Sequence, residues 1–215
     1  MASPPTKRRR IEYADRRIGC LLDLTGLPRV LVELCLEFIP LPAWRIVDLD
    51  PNAVQIAPRS HHYGSQPQRA LLTAADGGPL HVLFTNGTLQ FPCEYPRQRL
   101  FLGLNAKEMQ TTTEFYQKLQ RRIPTNPGET WFQSGITCVR LTRSHLDQLA
   151  DARRLVNQRG EPITVDELEN ATEFETAVVC FKAACFANGK CYLWKSLVFV
   201  RVKDKLDPNA WLTYL

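Results

Sequence analysis

The dipeptide Asn188-Gly189 lies between two long runs of apolar, aromatic and basic residues near the carboxyl end of the sequence. Both residues tolerate positive φ, which the tightest two-residue β-hairpin turns require. With these two residues as the loop, the flanking segments 177–187 and 190–203 pair as antiparallel strands, and Ala187 faces Lys190. The sequence therefore predicts a long carboxyl-terminal β-hairpin.

The predicted register gives the hairpin two different faces, because side chains alternate along a strand. One face sets large residues against small ones, which is typical of a core. Its pairs are Val179 with Val198, Phe181 with Ser196, Ala183 with Trp194, and Cys185 with Tyr192. The other face interleaves basic and aromatic side chains. They are Lys182, Lys195, Arg201, Lys203, Phe186 and Phe199.

Lys182 and Lys195 stand directly opposite each other in this register. Like charges in that position destabilise a sheet unless solvent screens them or an anion lies across them. Cations interleaved with aromatic rings are also the composition of a platform for single-stranded nucleic acid. The second face is therefore either a solvated sheet surface or a nucleic-acid site.

The length of 215 residues predicts one domain with terminal extensions. Residues 1–26 form a basic arm that is expected to be disordered, residues 27–206 the domain, and residues 207–215 a tail. Lys7, Arg8, Arg9 and Arg10 are consistent with a nuclear-import signal, a phosphate contact or a solubilising tail. No apolar run is long enough to cross a bilayer, so an intracellular location without a membrane is expected.

Residues 27–42 contain apolar positions at helical spacing between Pro28 and Pro40. This pattern is similar to the first helix of an F-box, a motif that recruits ubiquitin ligases. It supports an alternative hypothesis, in which the chain is an interaction adaptor.

The middle of the sequence predicts short strands with Gly-containing or Asn-containing turns, one of them at Asn86-Gly87, as in a small sandwich or barrel. Residues 110–122 change to helical spacing, and Thr112 or Thr113 is the predicted cap. Ser144 is expected to cap a second helix, and Thr164 with Glu167 a third, short one through a capping box.

Catalytic and metal-binding motifs are missing from the sequence. Its seven cysteines and four histidines form neither Cys-x-x-Cys nor zinc-type spacing. Nucleophile-elbow, phosphate-loop and dinucleotide-binding motifs are absent as well. We therefore expect no enzyme, no metal and no cofactor, and we expect Cys180, Cys185 and Cys191 to be buried thiols.

An ordered series of segments over residues 45–204 resembles the single-stranded-DNA-binding proteins of large eukaryotic DNA viruses and related mobile elements. These segments are residues 79–85, 89–92, 100–104, 113–119, 160–163, 186–194 and 198–202. The resemblance implies a mainly β, α+β fold: a β-barrel of oligonucleotide-binding type with a helical insertion and the carboxyl-terminal hairpin. It also implies that the protein coats single strands during replication, recombination and repair, in the nucleus or at a viral replication site.

Both lines of reasoning predict single-stranded DNA or RNA as the partner, together with replication proteins. Lys182, Lys195, Arg201 and Lys203 would neutralise phosphates, and bases would stack on aromatic rings with little sequence preference. Trp131 and Phe132 follow Pro127-Gly128 in a polar segment. They are the predicted exposed stacking residues, although Trp131 would equally suit packing beneath that loop. Trp194 and Tyr192 are predicted to lie in the core.

Overall fold

The computed structural model describes residues 43–60, 67–91, 99–132 and 137–203. The chain divides into two units, Met1–Pro42 and Ala43–Leu215. Three predicted segments lie outside the described residues. They are the basic arm (residues 1–26), the F-box-like segment (27–42) and the tail (207–215).

The fold is mainly β, with an open and mostly antiparallel sheet and few helices. The described residues form ten strands: β1 (Trp44–Arg45), β2 (Gln55–Ile56), β3 (Gln68–Thr73), β4 (Leu80–Gln90), β5 (Arg99–Gly103), β6 (Thr130–Trp131), β7 (Cys138–Arg140), β8 (Leu155–Val156), β9 (Glu173–Ala187) and β10 (Lys190–Val202). A 3-10 turn spans Ile46–Asp48, and the helices are α1 (Ala106–Arg122), α2 (Arg143–Asp151) and α3 (Val165–Glu169).

Strand β9 is the centre of the sheet. Along one edge it pairs with β3 near its carboxyl end and with β4 over the rest of its length, and along the other edge it pairs with β10. Strands β5 and β7 continue the sheet beyond β4. The start and the end of β10 also pair, in parallel, with β6 and β8.

The predicted hairpin is confirmed, with Asn188 at φ +52° and Gly189 at φ +69°. A second Asn-Gly pair, Asn86-Gly87, does not turn the chain, and β4 continues through it. Asn86 takes φ +51° inside the strand. A Cβ at position 87 would collide with the Phe174 ring and the Gly103 carbonyl oxygen. This glycine therefore permits close packing, and the predicted turn is wrong.

The helix predicted at residues 110–122 exists but begins one turn earlier. Its cap is Asn105, whose side chain accepts a hydrogen bond from the Glu108 amide at 2.9 Å. Thr112 and Thr113, the two predicted caps, lie within the helix and donate their hydroxyls to the Glu108 and Met109 carbonyls. Thr112 is fully buried. Thr142, and not Ser144, caps α2. The capping box of Thr164 and Glu167 is confirmed at α3.

Helix α1 packs against one face of the sheet at β9 and β10, which we call the inner face. Phe115 and Tyr116 of α1 contact the Phe181 ring, with centroids 6.4 Å and 5.7 Å away. Phe181 and Leu119 are fully buried there. Burying side chains of this size contributes about 1.5–3 kcal/mol each, so this contact anchors the helix on the sheet.

Among the described residues, the helices are too short or too polar to cross a membrane. Cys180, Cys185 and Cys191 are buried thiols, as predicted.

Candidate nucleic-acid interface

The predicted basic platform is divided between the two faces of the sheet. Lys195 is 4% exposed and Phe186 is 5% exposed. The Lys195 ammonium lies 5.2 Å from the Tyr116 ring centroid, on the inner face. The Phe186 ring is covered by the Arg59 guanidinium, whose Cζ atom is 3.5 Å from the ring centroid. The prediction that these two residues share a face with Lys182 and Phe199 is wrong.

A β-bulge at Lys182 causes the difference. Ala183 faces Trp194 as predicted, but the next pair is Phe181 with Lys195, so Lys182 has no residue directly opposite it. The two lysines therefore do not oppose each other. In a β-bulge, two residues of one strand lie opposite one residue of its partner. The side chains beyond the bulge therefore point to the opposite face from the one that regular alternation predicts. As a result, Lys195 faces the core while Lys182 faces away from it.

A second bulge at Val198 acts on β10 in the same way. Leu197 pairs with Val179, whereas Phe199 pairs with Val178. Phe199 therefore lies on the same face as Trp194, opposite to α1. We call this the outer face. Along β10 it consists of Tyr192, Trp194, Ser196, Phe199 and Arg201.

Strands β3 and β4 add a parallel row to the outer face on the far side of β9. Arg69 stands across from Cys185, Leu71 from Ala183, and Leu83 from Val178. Apart from the partly exposed Lys182, the outward-facing β9 residues between the two rows are small and buried, namely Val178, Cys180, Ala183 and Cys185. In the two rows, Arg69, Leu83, Tyr192, Trp194 and Phe199 are partly exposed and Leu71 is 39% exposed. The larger side chains therefore stand on either side of a floor of small ones.

Trp194 is the residue of the outer face on which two cations converge. The Arg69 guanidinium carbon lies 4.7 Å from its ring centroid, and the Lys182 ammonium lies 5.2 Å away. Among the described residues, Arg69 Nε has no hydrogen-bond partner. Each cation–π contact at such a site contributes about 0.5–1 kcal/mol. Two cations from two different strands thus converge on one partly exposed indole.

The other predicted cations, Arg201 near the end of β10 and Lys203 just after it, are paired with carboxylates of β9. Arg201 Nη1 lies 3.9 Å from Glu175 Oε2, and Lys203 Nζ lies 3.1 Å from Glu173 Oε2. All four side chains are more than a third exposed, so these pairs contribute little to stability. They reduce the positive charge at this end of the outer face.

The two aromatic residues predicted to be exposed differ from each other. Trp131 lies in β6, pairs with Cys191 and packs partly buried against the core. Phe132 is 53% exposed, and the Lys190 ammonium lies 5.7 Å from its ring centroid. Phe132 and Lys190 therefore form a second, smaller pair of ring and cation at the tip of the hairpin.

Tyr192, Trp194 and Arg69 are the residues of the outer face that the sequence analysis missed. Tyr192 and Trp194 were expected in the core because they face small residues. The residue types carry one signal for the observed orientation. Tyr and Trp each carry a polar group that favours a partly solvated position, whereas their neighbours Cys191 and Leu193 are residue types that are mostly buried. The prediction that these two aromatic residues are core residues is wrong.

Comparisons with protein-family models, curated proteins and solved structures give no match to this chain.

Proposed function

We propose that this protein binds single-stranded DNA without sequence specificity, through the outer face. The observation that carries the proposal is the partly exposed Trp194 ring between Arg69 and Lys182. Aromatic rings in a cationic groove are the elements by which proteins hold single strands, since every base has a stacking face and every nucleotide a phosphate. The net charge of +5 favours the same partner.

Binding would exchange one set of contacts for another. In the free protein, Arg69 and Lys182 lie over the Trp194 ring. An incoming base would stack on the Trp194 ring, and phosphates of the same strand would bind Arg69 and Lys182. Base–aromatic stacking contributes about 1–3 kcal/mol per base, and phosphate contacts release counterions. Affinity should therefore fall as the salt concentration rises.

We also propose that the sheet closes into a barrel of oligonucleotide-binding type, with α1 as the helical insertion between β5 and β6. Strands β9, β4, β5 and β7 are consecutive neighbours, and residues of β7 also come close to β10. Closure between β7 and β10 would place the side chains of the inner face inside the barrel, and α1 would then lie across one end of it, since a barrel this small has room only for side chains. The outer face would then be its exterior, where proteins of this fold bind oligonucleotides.

Replication, recombination or repair in the nucleus, or at a viral replication site, is the process we propose for this activity. The resemblance of residues 45–204 and the basic cluster at residues 7–10 support it. Residues 27–42, on which the adaptor hypothesis depends, lie outside the described residues. No contact of the described residues favours that hypothesis.

The test is fluorescence anisotropy with labelled oligothymidine and with duplex DNA of the same length, each at two salt concentrations. We expect tighter binding of the single strand. Trp194→Ala should weaken binding by about 1–3 kcal/mol. Arg69→Ala/Lys182→Ala should also reduce the magnitude of the salt slope, by about 0.7 for each phosphate that is no longer neutralised. A single-stranded RNA of the same length would show whether DNA is preferred.

The matched control is Lys107→Ala/Lys118→Ala, which removes the same charge from exposed positions on α1. It should leave the salt slope unchanged. Thermal melting of each variant separates weaker binding from unfolding. Equal binding by the wild type, Trp194→Ala and Arg69→Ala/Lys182→Ala would remove the outer face from the site, and no binding by the wild type at low salt would refute the function.

A further inference from the structure

The spacing of side chains along β10 matches the spacing of nucleotides in an extended single strand. Residues i and i+2 on one face of a strand lie about 6.8 Å apart. A nucleotide has six backbone bonds, as many as two amino-acid residues, and so advances about 6–7 Å when extended. Tyr192, Trp194 and Ser196 occupy successive positions of this kind. The outer face therefore offers one side chain per nucleotide.

Bases in a duplex follow each other at about 3.4 Å along each strand. Rings that are about 6.8 Å apart cannot stack on consecutive bases of such a helix. An extended strand, with its bases separated, satisfies the spacing. Selection against duplex would thus arise from the geometry of β10 as well as from charge.

The bulge at Val198 extends this series by a further aromatic position. If the side chains of β10 alternated regularly, without the bulge, Phe199 would point to the inner face as Leu197 does, which is fully buried. With it, Phe199 follows Ser196 on the outer face. Ser196 is 6% exposed and presents no ring. Along β10, the outer face thus presents aromatic rings at Tyr192 and Trp194, no ring at Ser196, and a further ring at Phe199.

We infer that the outer face holds an extended segment of about four nucleotides along β10, stacked at Tyr192, Trp194 and Phe199 and unstacked over Ser196. Arg69 and Lys182 accompany the first two positions, and Arg201 lies beyond the last. This inference rests on the proposed function and specifies the ligand of the same site. The order is asymmetric, so it also gives the bound strand a direction.

The probe is tetrathymidylate, with an abasic nucleotide placed at each of its positions in turn. A strand this short cannot slide without leaving one of the rings empty. Each oligomer competes against a labelled longer oligothymidine at low salt. An abasic nucleotide at three of the positions should weaken competition by about fivefold or more, and at one internal position by less than about twofold. The tolerant position is the second or the third nucleotide, and which of the two it is gives the direction of the strand.

Phe199→Ala supplies the second measurement. It should remove the abasic effect at the terminal nucleotide next to the tolerant one and leave the effects at the other two positions unchanged. Four equal abasic effects, a tolerant terminal position, or a Phe199→Ala protein with an unaltered abasic profile would overturn the inference. Each of these outcomes leaves single-strand binding intact, whereas failure of tetrathymidylate and of long oligothymidine alike would refute the proposed function itself.

Discussion

At the scale of single residues, Lys195 is the least expected side chain of the fold. It lies in the inner face beneath α1, with Tyr116 and Cys138 as its titratable neighbours. Burial lowers the pKa of Lys195 to about 7, and Cys138 opposes this in part. Burial, followed by Cys138, raises the pKa of Tyr116 well above its ordinary value. At and above neutral pH, folding therefore favours the neutral form of the lysine.

We expect the stability of the protein to rise with pH above 7 because of Lys195. The pKa is about 7 in the folded protein and 10.5 in a solvated lysine. Between these values the unfolded chain binds more protons, so raising the pH favours the folded state. Integrated from pH 7 to 8.5, the gain in unfolding free energy is about 2 kcal/mol. Lys195→Met should flatten this dependence and increase stability at pH 7.

Urea denaturation of the wild type and of Lys195→Met at pH 7 and 8.5 measures the difference. Burial also raises the pKa of Cys191, which opposes the lysine effect as the pH approaches 9. Both proteins carry that contribution, so it cancels in the comparison. Lys118→Met, at an exposed position of α1, is the control and should keep the wild-type dependence. Parallel profiles for the wild type and Lys195→Met would contradict the assignment.

At the scale of elements, the hairpin tip is clamped to the rest of the fold by Arg59. Its guanidinium stacks on Phe186, donates to Glu129 Oε1 at 3.1 Å and Oε2 at 2.5 Å, and donates to the Pro124 carbonyl at 2.7 Å. The hydrogen bond from Arg59 is the main cause that lowers the pKa of the Glu129 carboxyl. One side chain thus joins β9, the loop before β6 and the segment after β2.

We predict that Arg59→Ala lowers the unfolding free energy by about 1–3 kcal/mol, since it exposes Phe186 and leaves Glu129 without its cation. Hydrogen exchange should accelerate most in the amides of residues 186–191. Arg59→Lys should recover only part of the stability, because an ammonium cannot bind both carboxylate oxygens as a planar fork does.

Arg143→Ala is the control for this clamp. Arg143 also contacts three carboxylates, of Asp147, Asp166 and Glu169, but its side chain is 51% exposed. Its removal should change stability by less than about 0.5 kcal/mol. Equal destabilisation by the two variants would show that burial of the Arg59 contacts does not matter.

At the scale of the whole molecule, the second unit contains every contact that the proposed binding activity uses. Arg69, Lys182, Tyr192, Trp194 and Phe199 all belong to β3, β9 and β10. The basic cluster at residues 7–10 belongs to the first unit. Variants of residues 7–10 should therefore alter the proposed nuclear import without altering the proposed binding of single strands.

Deleting residues 1–16 should abolish nuclear accumulation of a fluorescent fusion that is too large to enter by diffusion. The melting temperature should stay nearly unchanged, because a proline-flanked basic segment has little apolar surface to bury. Neutral substitution of Lys7, Arg8, Arg9 and Arg10 within the full chain should reproduce the effect. Continued accumulation of either variant would refute the import role.

The sequence by itself determined the parts of this fold that depend on local chemistry. Asn188-Gly189 closes a hairpin because both residues accept positive φ, and Thr164 with Glu167 caps α3 because the two side chains bond to each other's backbone. The mainly β character and the existence of α1 follow from the periods of apolar residues. These features involve residues that are close together along the chain.

Only the tertiary structure decided which residues form the candidate site. Alternation divides a hairpin into two faces but does not say which one a helix will cover. The bulges at Lys182 and Val198 then reverse the faces of the residues beyond them, and they depend on how β9 fits between β4 and β10. Asn86-Gly87 continues a strand for the same reason, since Phe174 packs where a side chain at position 87 would lie. Packing between distant segments therefore placed Trp194 outside the core and Lys195 within it.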